Sequence, residues 1–362
     1  MNVRIPKKKL QYKDSHFCVD PLMELDGDFT IIYGGRYSGK SYDVKRWVLE
    51  QYITKAQQFA YIRRWDSDVT QSLVRSYFAD TDLSKITPDF NLIDAGRGLI
   101  EISQYDYETE KKHNRQIAGF YFPMNTASRY ASTQYPGIYN FIVEEFIPID
   151  GRYAPDELEL LFHLFSTIIR ERRGRVTLIA NSISRQSPYW DEFGCADIVR
   201  RQEIGDTEVF ERKTKAGPQK IVIHYARPNP KGNKLFSGSR ETMTVEGKWL
   251  AEPKPRIDDL EKWFKIYTFY VEWLSAKFKC TYLVRGSEYT VYVEDYDGKE
   301  YPKYARVVSD KFSFSPYVTN GFTPLNDTEA AIFDCLPTRC CYNDDLVGTE
   351  FEEIFENFKI SS

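Results

Sequence analysis

The chain has 362 residues, enough for two domains that each bury a core of their own. Hydrophobic residues make up 42% and charged residues 28%, the balance of an ordinary globular protein, and no apolar run approaches the roughly 18 residues that a membrane helix needs. The net charge of −4 excludes a protein that coats nucleic acid over its whole surface, but not one with a local basic channel.

The start, "MNVRIPKKKLQYKD", has lysines with no apolar stretch behind them, so no secretion signal is expected. "FTIIYGG" (29–35) predicts a buried strand and "KSYDVKRWVLEQYI" (40–53) the helix after it. "QFAYIRR" (58–64) predicts a second strand. "FNLIDAGRGLIEIS" and "QIAGFYFPM" carry the alternation and turn residues of a hairpin-like insert. "YNFIVEEFI" (139–147) is an apolar strand ending in two carboxylates, and "PDELELLFHLFSTIIRER" (155–172) has a proline-led start and helical apolar spacing. "RVTLIANS" (175–182) and "KIVIHYA" (220–226) add two strands. Short apolar strands alternating with helices predict an α/β fold on a mostly parallel sheet.

The character changes after residue 227. The Gly-, Pro- and charge-rich stretch over 228–256 reads as a linker between a first domain at 1–227 and a second at 257–362. "FKCTYLVRGSEYTVYVEDYDGKEYPKYARVVSD" (278–310) predicts an antiparallel meander, and the end of the chain an acidic helix. The six cysteines form no CxxC pair and have no companion histidine, which favours reduced thiols over a metal site.

"GGRYSGKS" fits the phosphate-loop pattern, and it sits between a predicted strand and a predicted helix. The predicted nucleotide-binding set is Gly34, Gly35, Arg36, Tyr37, Ser38, Gly39, Lys40 and Ser41. Glycines let the backbone curl its N–H groups inward, Lys40 would reach the β- and γ-phosphates, and Ser41 would ligate Mg²⁺. ATP and Mg²⁺ are therefore the expected ligands. Glu144, at the tip of "NFIVEEFI", would complete the metal site, and Glu145 would polarise the attacking water. This first position usually holds Asp, so Glu144 is one methylene longer than the pattern.

Arg170, Arg172, Arg173 and Arg175 gather at a predicted helix end. There they would either cap the helix dipole or offer a guanidinium to the γ-phosphoryl group. Asn181 ends the next strand beside the phosphate loop, where it would sense phosphate or position water. "ERKTKAGPQK" (211–220) and "NPKGNK" (229–234) offer basic residues to DNA phosphates, or are simply solvated loops.

Taken in order, "GGRYSGKS", "QFAYIRR", "YPGIYNFIVEEFI", "FSTIIRER", "RVTLIANS" with "SPYW", and "KFKCTYLVRGSEYTVYVED" resemble the DNA-packaging (encapsidation) ATPases of small short-tailed phages. The resemblance implies an additional-strand, conserved-glutamate ATPase core related to large terminases, followed by a reduced RNase H-like domain. It implies a ring, a pentamer in the family, that docks on a portal and drives double-stranded DNA into a prohead in the host cytoplasm. It leaves a packaging RNA open. It points to Arg170 as a finger acting on the neighbouring subunit, with Arg172 and Arg173 as substitutes, and to Arg36 as a residue that couples the phosphate site to motion in cis. An RNase H-like nuclease needs a carboxylate on its first central strand. With "FKCTYLV" taken as that strand, no nuclease activity is expected. The competing readings are a terminase large subunit with a working nuclease, a nucleotide kinase, and a scaffold that binds nucleotide without hydrolysing it.

Overall fold

The computed structural model describes residues 3–5, 17–130, 133–170, 172–228, 248–249, 251–273, 276–299, 303–306, 336 and 338–356. Most of the sequence-predicted linker, including "NPKGNK", lies outside them. The described residues fall into two compact units.

The first unit contains β1 (Val3–Ile5), α1 (Asp20–Met23), β2 (Phe29–Gly34), α2 (Lys40–Lys55), β3 (Gln58–Arg63), α3 (Gln71–Phe78), β4 (Leu92–Gly96), β5 (Leu99–Asp106), β6 (Lys111–Pro123), β7 (Ile138–Glu144), α4 (Glu157–Ile169), β8 (Arg175–Asn181), β9 (Thr207–Thr214) and β10 (Gly217–Ala226). Its strands form one sheet in the order β1-β9-β10-β2-β8-β7-β3-β6-β5-β4. The run from β10 through β2, β8, β7 and β3 to β6 is parallel. The pairs β1–β9, β9–β10, β6–β5 and β5–β4 are antiparallel. The expected α/β class holds, and the sheet is mixed: a parallel centre with an antiparallel margin on each side. Central strands such as β2 are buried along their whole length, which is why they read as unbroken apolar runs. The predicted insert is β4–β6, and β6 extends the main sheet through β3. The basic stretch 211–220 is no free loop but the arms and turn of the β9–β10 hairpin.

The second unit contains α5 (Pro188–Glu192), α6 (Ala196–Arg201), β11 (Phe264–Trp273), β12 (Ala276–Arg285), β13 (Glu288–Asp295), β14 (Lys303–Arg306), β15 (Cys340–Tyr342) and α7 (Asp345–Glu356). Its sheet runs β14-β11-β12-β13-β15, antiparallel from β11 to β13 and parallel at both ends. Phe269, Phe278, Val293, Val347, Phe351 and Ile354 form its core. Two features depart from the sequence reading. Residues 184–201 belong to this unit rather than to the first domain: Arg185 pairs with the buried Glu350 of α7 at 2.6 Å, and Gln186 Nε2 donates to the Glu350 carbonyl at 3.0 Å. The strand "FKCTYLV", expected to open the meander, is second in it; β11 comes first and carries Glu272.

His224 on β10 is buried, with Nδ1 2.7 Å from the Thr207 hydroxyl. Burial pulls its pKa from 6.5 down to about 3. Between those values the unfolded chain binds the extra proton, so stability rises with pH there by up to about 1.4 kcal/mol per unit. The contribution is complete above pH 6.5 and is lost as pH falls toward 3. His224→Asn is therefore expected to flatten the acid limb of the stability curve in denaturant titrations, leaving the slope above pH 7 unchanged.

Candidate nucleotide site

The phosphate loop leaves β2 at Gly34, whose φ of +150° and close neighbour suit only glycine: a Cβ there would sit 2.6 Å from the Ala226 carbonyl oxygen. Gly39, at φ +94°, turns the chain into α2. The register puts Ala226 beside Gly34 on one side and Asn181 on the other. The Ser182 N–H donates to the Gly34 carbonyl at 3.1 Å. Asn181 is thus brought to the loop as expected.

Lys40 is buried. Its ammonium donates to the carbonyls of Gly35 (2.7 Å) and Gly34 (3.1 Å) and to the Ser38 hydroxyl (3.1 Å). Burial pulls its pKa down to about 7, opposed by Glu144 and assisted by Arg36. A cation held this way is stabilised by an arriving phosphate anion. Arg36 is half-buried within the loop, and its Nε has no partner among the described residues. Tyr37 is exposed at the loop's outer turn.

The two acids part company. Glu144 is buried at the end of β7, where the Ser41 hydroxyl donates to Oε1 and the Tyr77 hydroxyl to Oε2 at 2.8 Å. Burial pushes its pKa up, against the pull of both hydrogen bonds. Glu145 lies just past the strand with φ +56°, a left-handed conformation uncommon outside glycine. Its carboxylate meets Arg63 at 2.7 Å. Its backbone is clamped by Arg64, which donates to the carbonyls of Glu145 (3.1 Å) and Phe146 (2.9 Å). Arg64 is itself fixed by a buried two-point pair with Glu157, at 2.6 and 2.9 Å. The donors Ser41 and Glu144 are oxygen only and already adjacent, a set that fits a hard cation such as Mg²⁺.

The four arginines separate clearly. Arg172 donates to the carbonyls of Tyr135 (2.9 Å), Ile138 (3.3 Å) and Ile168 (2.6 Å), and so serves as a backbone clamp. Arg173 and Arg175 pair with Asp26. Arg170 caps α4, its N–H donating to the Ser166 carbonyl at 3.0 Å; it is exposed, and its side chain has no hydrogen bond or ion pair among the described residues. It stands at the N-terminal edge of the parallel strands, whereas the phosphate loop, Glu144, Glu145 and Asn181 stand at the C-terminal edge. Along β8 those edges lie about 20 Å apart, at roughly 3.3 Å per residue. Arg170 is therefore not part of its own chain's site.

A family model described as podovirus DNA encapsidation protein (Gp16) matches residues 12–240. The chain belongs to this family. The encapsidation family member described here is 24% identical over 246 residues to the DNA packaging protein of Bacillus phage phi29, covering 67% of this chain and 68% of that one. It is 26% identical over 211 residues to the DNA packaging protein of Bacillus phage B103, covering 54% of this chain and 61% of that one. Among solved structures, a chain of the bacteriophage phi29 viral genome packaging motor assembly shares the fold, with a TM-score of 0.56, 16% identity, and coverage of 95% of this chain and 99% of that one.

Sequence reasoning missed Arg63, Arg64, Tyr77 and Glu157. "YIRR" offered one signal, two charges at an apolar strand's C-terminal end, where open α/β sheets bind ligands. Glu157→Gln would leave the buried Arg64 guanidinium without its counter-charge. It is expected to cost about 3–5 kcal/mol of stability in urea titrations, because one half of a buried pair is stranded.

Proposed function

We propose that the chain is one subunit of a ring that hydrolyses ATP to drive double-stranded DNA into a prohead, a pentamer by likeness to its family. The observation that supports this is the placement of the loop, Glu144 and Glu145 at one edge of the sheet and of the exposed Arg170 at the other. On this reading Arg170 is out of reach of its own site and serves that of another copy.

In this reading Gly34–Ser41 hold the triphosphate, with backbone N–H groups and the positive end of α2 facing it. Ser41 and Glu144 would hold Mg²⁺, which when bound neutralises charge on the β- and γ-phosphate oxygens. Glu145 takes the proton of the attacking water, and Asn181 orients at the γ-phosphate. Arg36 links the loop to movement of the core. Arg170 of the adjacent copy stabilises the charge that develops on the transferred phosphoryl group. DNA is contacted through its phosphates, which carry no sequence information and so suit passage along any sequence. The assembly works in the host cytoplasm, docked on the portal of the prohead.

The sheet order supports an additional-strand core, because β8 lies between the phosphate-loop strand β2 and the acid strand β7. The order β14-β11-β12-β13, with β14 parallel to β11, supports an RNase H-like second unit. We propose that it lacks nuclease activity. Lys279 lies 3.3 Å from Glu294 and 3.2 Å from Asp297, so these two carboxylates already share a cation of the chain's own, which supports this reading.

The test is ATP hydrolysis against protein concentration, with and without double-stranded DNA. Specific activity is expected to climb with both. Arg170→Ala should lower it by about 10³–10⁵-fold. Glu145→Gln should lower it by about 10²–10⁴-fold with nucleotide affinity retained. Activity independent of concentration, DNA and Arg170 would mean a self-contained ATPase and sink the ring reading.

A further inference from the structure

The contact between Tyr77 and Glu144 has no counterpart in the phosphate-loop pattern. Glu144 reaches Ser41 with one oxygen, and the Tyr77 hydroxyl holds the other at 2.8 Å. Tyr77 is itself fixed from both sides. Its ring stacks on Tyr61 with centroids 4.5 Å apart, and the Lys45 ammonium lies 4.4 Å from its centroid. The buried Lys45 also donates to the Tyr77 carbonyl and pairs with Asp80, so the end of α3 is tied to the helix that follows the phosphate loop.

A glutamate has one more rotatable bond than an aspartate, and holding it in one rotamer costs entropy. A ligand carboxylate fixed by an outer hydrogen bond binds its cation more tightly than a free one. We infer that Tyr77 is a positioning residue that fixes the Glu144 carboxylate and thereby sets the affinity of the nucleotide site for its divalent cation. On this account the hydroxyl offsets the extra methylene of Glu144. When a cation takes the Ser41 side of the carboxylate, the Tyr77 bond to the far oxygen keeps the group in place.

This rests on the nucleotide-site reading above, and the experiment separates the two. Mn²⁺ is titrated into the full-length chain with ADP and followed by electron paramagnetic resonance, for wild type and Tyr77→Phe. ADP affinity is also measured in EDTA. The phenylalanine keeps the ring contacts and removes only the hydroxyl. We expect Mn²⁺ to bind the variant about 10- to 100-fold more weakly, the usual loss when the outer hydrogen bond of a ligating group is removed, with metal-free ADP affinity unchanged. Glu144→Asp shortens the reach to Tyr77, so in that background Tyr77→Phe should weaken Mn²⁺ no further. Equal Mn²⁺ affinity in wild type and Tyr77→Phe would overturn the inference alone. Equal losses of Mn²⁺ and metal-free ADP affinity would also overturn it, by showing a merely structural role. Failure of wild type to bind ADP would remove the nucleotide site and this inference with it.

Discussion

Parallel strand polarity is the constraint on which this molecule's chemistry depends. Because β2, β8, β7 and β3 all point the same way, their C-terminal ends gather the phosphate loop, Asn181, both glutamates and the Arg63–Arg64 pair along one edge. The same polarity sends α4 back toward the opposite edge. The helix leaves Glu157, tied through Arg64 to the backbone of Glu145, and ends at Arg170 about 20 Å away, at roughly 1.5 Å rise per residue. One helix thus begins beside Glu145 and ends at the exposed Arg170, which the proposed function assigns to another copy.

The buried charged groups of the candidate site are held under electrostatic tension that ordinary packing would not choose. Lys40 and Glu144 are buried charges of opposite sign, each shifted by burial toward its neutral form and each returned toward its charged form by the other or by hydrogen bonds. Glu145 keeps an uncommon backbone conformation, and Arg64 grips the two carbonyls that follow it, those of Glu145 and Phe146. Strain of this kind is typically worth about 1–3 kcal/mol and concentrates at functional positions. Arg170, at φ +53°, carries the same signature at the other end of α4.

The phosphate loop, the acid strand and the central strands were legible because each is a contiguous run whose meaning is local: backbone curl, apolar burial, a charged tip. Arg63 on Glu145 and Tyr77 on Glu144 were not, since these contacts join residues 82 and 67 positions apart and depend on strand order. β9 escaped notice because Thr207 and Glu208 are buried polar residues that blur its alternation. β11 escaped because its aromatic run followed a stretch read as linker. The assignment of 184–201 depended on Arg185 finding Glu350, 165 residues away. The choice among the arginines was likewise a tertiary matter: all four sit in one short segment, and only their partners tell clamp from free end.

The most direct test of a shared site is complementation. Arg170→Ala keeps its own loop and Glu145 but has no finger; Glu145→Gln keeps the finger but has no base. Each alone should be nearly inactive. Mixed in equal amounts with DNA, they should recover a substantial fraction of wild-type ATP hydrolysis, because an Arg170→Ala subunit beside a Glu145→Gln subunit rebuilds one complete site. Mixtures no more active than their components would place Arg170 outside the neighbouring site and contradict the account.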